Sequence, residues 1–350
     1  MGSLQLALLI LGVVVIVALV AHESWQARLG RGRRASPRSA APEPARFEEP
    51  VINLEDFEPP APDPLEPSMT PAPRRSAGPR LDPLIDAIVP LSVELRYTGQ
   101  SVMAHLPATR RAGSKPFFIE GLNDATGEWE PPCSGQTYRE FQAGVQLANR
   151  TGPLNEIEYS EFVQKVQSFA DAIGATADFP DMTEVVSRAR ELDQFASQHD
   201  AQLACRLVAR AAAWSVAYIH QHAARHGFVS GAVPGRLVLP SGQDGAPAML
   251  TLQFDPQAAF ADDPALASVR DISLAFDVPQ TAPGDAPFQA WQASAHALAL
   301  GMDASVVDDA GRPLGPQDFA AIDRELEHLY AALEARGLPA GSAAARRLFS

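Results

Sequence analysis

Three sets of side chains in this 350-residue chain have types and spacings that chemistry can use. His220, His222 and His226 lie close together, and the last two stand at i and i+4, which puts two imidazoles on one helix face as a metal site requires. Two helix-face histidines need further ligands to hold zinc, and no acidic or cysteine ligand stands nearby in sequence. The histidines therefore read better as the polar face of a helix that stops at Gly227. Asp308 and Asp309 are adjacent carboxylates of the kind that act as general acid and base, yet beside Gly311 they read as turn aspartates that accept local backbone hydrogen bonds. The only cysteines, Cys133 and Cys205, are far apart and lack C-x-x-C spacing, so neither a zinc site nor a disulfide framework is indicated, and both suit a reducing cytoplasm. There is no Walker A run, no G-x-G-x-x-G after a strand, no G-x-S-x-G and no H-E-x-x-H. The sequence is thus expected to encode no enzyme, with no catalytic residue, no cofactor and no metal. A formal net charge of -14 argues against a nucleic-acid partner, because phosphate binding needs a basic surface.

The elements around these residues say more. Leu4 to Ala21 reads LQLALLILGVVVIVALVA, eighteen residues without a charge. As a helix it spans about 27 Å, close to the hydrocarbon thickness of a bilayer. Arg28, Arg31, Arg33, Arg34 and Arg38 follow it and no basic residue precedes it, so the positive-inside bias predicts an outward-facing N-terminus and a cytoplasmic remainder. A signal peptide requires a basic segment first and an A-x-A-like site afterwards, and LVAHESW supplies no clean site. Residues 1–27 are accordingly expected to be a single-pass transmembrane anchor. Residues 28–80, built from Pro, Ala, Glu and Arg, are expected to be a disordered linker with a reach of about 150 Å when extended. Val51, Ile52, Leu54 and Phe57 stand out within it as a short partner motif or an incidental apolar cluster.

The folded part carries an internal repeat. VQLANRTGPLNEIEY from Val145 aligns without a gap on LAFDVPQTAPGDAPF from Leu274, an offset of 129 residues. The helix after each has an apolar stripe with the same steps: Tyr159, Phe162, Val166, Phe169 and Ile173 in one, Phe288, Trp291, Ala295, Leu298 and Met302 in the other. Strands are predicted at Ile88–Leu95, Phe117–Ile119 and Ala143–Ala148. In the second copy, period-two alternation predicts strands around Cys205, Leu237, Leu252 and Leu274. One face of these strands is apolar and the other is not, which predicts an α+β fold: an antiparallel sheet with helices on one face, in two related repeats. The expected boundaries are 81–199 for the first repeat, 200–338 for the second, and 339–350 as a disordered tail.

An uncharged N-terminus, one membrane helix, an arginine cluster, a proline-rich linker and a terminal α+β domain together resemble the ZipA family of cell-division proteins. The local likeness lies in ARHGFVSG, in ISLAFDVP, in FQAWQASAHALALGM and in ASVVDDAGRPLGPQDFAAIDREL. The resemblance implies a split β-α-β sheet of the ZipA C-terminal kind whose exposed face binds the C-terminal tail peptide of FtsZ, tethering the division ring to the inner membrane during septum assembly, with the N-terminus in the periplasm and the domain in the cytoplasm. Alternation assigns that face here to Arg206, Val238, Thr251, Gln253, Ser273 and Ala275, all expected to be exposed. The family's groove is apolar and aromatic, so this set is more polar, and residues 81–199 have no counterpart in the usual member. An envelope scaffold with other partners and a membrane-bound hydrolase are the competing functions.

Overall fold

Alternating side chains build two antiparallel sheets in the computed structural model, which describes residues 81–243, 245–260 and 268–350. The anchor, its arginine flank, the linker and the Val51–Phe57 cluster lie outside the described residues. Among the described residues no helix is long and apolar enough to cross a membrane.

The first half begins with β1 (Asp86–Thr98) and α1 (Gly99–His105), followed by β2 (Arg111–Ala112), β3 (Lys115–Asn123), β4 (Trp129–Glu130) and β5 (Thr137–Gln146). A small hairpin of β6 (Ala148–Asn149) and β7 (Gly152–Pro153) leads into α2 (Glu156–Ala172), β8 (Thr176–Ala177) and α3 (Met182–His199). The sheet order is β2-β3-β5-β1-β8, with β4 beside β3. Helix α2 starts where it does because Asn155 accepts from the amides of Ile157 and Glu158 while Glu158 reaches back to Asn155, a capping box. Its stripe of Tyr159, Phe162, Val166 and Phe169 is buried against the sheet.

The second half contains β9 (Gln202–Ala209), α4 (Val216–Arg225), β10 (Val229–Ser230), β11 (Arg236–Leu239), β12 (Leu250–Gln253), α5 (Pro256–Ala259) and β13 (Asp271–Asp277). After these come α6 (Pro287–Met302), β14 (Ala304–Val307), α7 (Pro316–Ala335) and α8 (Ala343–Leu348). The sheet order is β10-β11-β12-β13-β9-β14. Trp291 fixes α6 to the central strand, donating its indole N–H to the Leu274 carbonyl at 2.9 Å.

Read from one edge, β8-β1-β5-β3-β2 and β14-β9-β13-β12-β11 match strand for strand. Val145 is flanked by Ala87 and Phe117, and Leu274 by Cys205 and Leu252. All six are 0 % exposed, so the offset of 129 residues aligns the centres of the two sheets.

The expected boundary at residue 338 does not separate the halves, and residues 339–350 are not a disordered tail. Helix α7 places Phe319 and Leu326 in the second core and Leu333 in the first, while Leu329 and Tyr330 touch both. Ser342 then caps α8, and Leu348 and Phe349 are each 1 % exposed within the first core. A helix of six residues is too short to show an apolar stripe in sequence, and its ordering comes from burial against distant strands. All described residues belong to one compact unit.

Candidate peptide-docking face

Cross-strand register brings the six expected site residues onto one face of the second sheet. Arg236, Gln253, Ser273 and Arg206 form one row across β11, β12, β13 and β9. Val238, Thr251, Ala275 and Ala204 form the next, and Val229 extends it onto β10. Leu237, Leu252 and Leu274 point the other way and are at most 2 % exposed. At about 4.8 Å between strands, the row from Val229 to Ala204 is roughly 19 Å long. Its side chains are small or β-branched, and apart from the Thr251 hydroxyl they are apolar.

Exposure differs along the face. Arg236 and Gln253 are exposed, and Val238, Thr251, Ser273 and Arg206 are partly so. Ala275 corrects the expectation of exposure: it is 8 % exposed, because a lone methyl on a central strand is shielded by Thr251 and Ala204 on either side. Arg206 pairs with Asp271, and Arg236 donates to the Thr251 hydroxyl at 3.2 Å. Beside the polar row opens a cleft of about 310 Å³ lined by Arg206, Gln253, Asp255, Asp271, Ser273 and Asp309 among others.

The matching face of the first sheet is closed by the chain itself around Gly144 and Gln146, while Gln142 is partly exposed and Pro90 beside it is exposed. Gln146 is 1 % exposed and donates to the carbonyls of Ala148 and Arg347, each at 2.7 Å. A Cβ at Gly144 would lie 2.5 Å from the Leu81 side chain. The Arg347 guanidinium sits 5.0 Å from the centre of the Phe118 ring and holds both oxygens of Asp86, at 2.9 and 2.5 Å. Burial raises the Asp86 carboxyl above its usual range even though Arg347 opposes the shift.

The other candidate groups have local partners. The His222 ring packs on Tyr218 at 4.3 Å, and burial lowers its pKa. Asp308 accepts from the Arg312 amide and guanidinium, both at 2.8 Å, as a turn aspartate does. Cys205 is buried with its thiol pushed up to about 12, and Cys133 is a free, exposed thiol. Among the described residues no group of three His, Cys, Asp or Glu side chains is placed to hold a metal ion.

One polar cluster escaped the sequence reading. Lys115, 1 % exposed, donates to Asn149 at 2.7 Å, Ser114 at 3.0 Å and Thr151 at 3.2 Å. A serine beside a lysine suggests a nucleophile and its base, but the Ser114 hydroxyl donates to Glu158 at 2.7 Å and the ammonium gives all its protons away. The group ties the start of α2 to β3 and the β6-β7 hairpin. Nothing in the local string GSKP signals it, since its partners come from residues 34 to 44 positions away.

No protein-family model matches the chain, and no curated protein matches it.

Proposed function

We propose that this protein is a membrane tether of the ZipA kind, with residues 4–21 anchored in the inner membrane and the second sheet capturing the C-terminal tail peptide of FtsZ in the cytoplasm. The tether holds the division ring to the membrane and supports septum assembly. It carries out no catalysis and uses no cofactor. One observation carries the reading: of two faces matched strand for strand, the chain closes one around Gly144 and Gln146 with Leu81 and Arg347, whereas on the other the described residues Arg206, Val238, Thr251, Gln253 and Ser273 are all at least partly exposed. That asymmetry favours the second repeat as the docking site, and the shared strand order supports an origin of the two halves by duplication.

A floor of roughly 19 Å accommodates about six residues of extended peptide. Apolar side chains of the tail lie over Val238, Thr251 and Ala275, while Ser273, Gln253 and Arg206 meet its polar groups. Purified full-length protein should retain FtsZ and lose it when the FtsZ tail is removed. Retention that is indifferent to the tail, or no retention at all, contradicts the proposal. The polar row of Arg236, Gln253, Ser273 and Arg206 favours a second reading, an envelope scaffold that binds a different peptide on the same face. Failure to retain FtsZ with the face still required for division would support it.

A further inference from the structure

We infer that residues Gly341–Ser350 form a clasp that locks the two halves together, and that opening it loosens the end of β13, the central strand of the accessible face. The clasp grips the first half through the Arg347 pair with Asp86, the Arg347 carbonyl on Gln146, and the Ser350 carbonyl on the Arg150 amide. It grips the second half just beyond β13. There the Gly341 amide donates to Pro279 at 2.8 Å, Gln280 donates to the Phe349 carbonyl at 2.5 Å, and the Arg346 guanidinium donates to the Gln280 carbonyl at 3.2 Å. Arg150 adds a parallel tie, pairing with both Asp200 and Asp277, the last residue of β13.

The approach between the clasp and the second half is close. Gly341 has φ +77°, and a Cβ there would lie 2.5 Å from the Ala282 amide nitrogen, so glycine is required. Each half has its own sheet and its own buried cluster. The ties from the clasp to the second half, in contrast, are single hydrogen bonds at the margin of that core. Such contacts open locally at lower free energy than a core unfolds. Because only Val278 separates Pro279 and Gln280 from the end of β13, their release reaches the strand that carries Ser273 and Ala275.

Amide hydrogen exchange on the full chain tests this without any partner protein. Two variants are compared with the wild type: a chain ending after Ala340, and Gln280→Ala, which keeps Leu348 and Phe349 in place. In both, the segment 277–282 should exchange at least tenfold faster while the segments around Leu207 and Leu252 keep their protection. Only the truncated chain should also loosen residues 146–150. Lost protection around Leu207 and Leu252 in Gln280→Ala, which leaves Leu348 and Phe349 in the first core, refutes the clasp, and this variant decides the matter if the truncated chain fails to fold. Unchanged exchange of 277–282 in Gln280→Ala refutes it equally.

Discussion

Burial and pairing oppose each other at Asp86, a carboxylate whose side chain is 0 % exposed against an Arg347 side chain that is 20 % exposed. The ionised pair is well placed in geometry, yet burial leaves the carboxyl harder to ionise than in the unfolded chain. A folded-state pKa above the unfolded value means that Asp86 contributes stability at low pH and that this contribution is lost as pH rises through the raised value. Glu158 has the opposite sign. Burial raises its pKa, but hydrogen bonds from the Ser114 hydroxyl and amide and from the Asn155 amide, with Lys115 nearby, hold it below the usual range. Its contribution is present above about pH 4.5 and is lost as pH falls through the lowered value. Urea unfolding across pH 3 to 7 should therefore show Glu158→Gln losing about 1–3 kcal/mol near neutrality and progressively less in acid. For the pair, Asp86→Asn should cost about 3–5 kcal/mol, whereas Asp86→Leu combined with Arg347→Met should recover most of that loss. Equal losses in both would show that the charges themselves hold the junction.

Strand alternation was the most legible element of the fold, because a period of two fixes which side chains share a face once pairing exists. Leu237, Leu252 and Leu274 were readable as core, and Arg206 and Ser273 as their opposite face, from sequence spacing alone. Ala275 was misread because alternation gives direction and says nothing of how much neighbouring side chains shade a methyl. The ordered C-terminus was invisible for a different reason: Leu348 and Phe349 find their partners through contacts some 200 residues away in sequence, such as that between Gln146 and Arg347. Lys115 was lost the same way. The face assignment has a mutational signature. Leu274→Ala should cost about 2–5 kcal/mol of folding stability by leaving a cavity in the central strand's core side. Ser273→Glu, one residue along and on the other face, should stay within about 0.5 kcal/mol of the wild type. Thermal denaturation of the two variants separates them, and similar losses would mean that both faces are packed.

For the whole molecule, the proposal divides labour between an anchor, a linker and a docking face. Deleting residues 1–27 should leave a folded protein that no longer sediments with membranes, since residues 81–350 supply two buried cores of their own. A truncated protein that still fractionates with membranes would remove the anchor from the account. The central claim is that the accessible face of the second sheet takes the FtsZ tail, and calorimetric titration tests it most directly. A synthetic FtsZ C-terminal peptide is titrated into the full chain and into Ser273→Glu. The account predicts one peptide bound per chain, with binding weakened by about 1–3 kcal/mol in Ser273→Glu, the usual cost of an unmatched group in an interface. Undiminished affinity in that variant, with its stability intact, would contradict it.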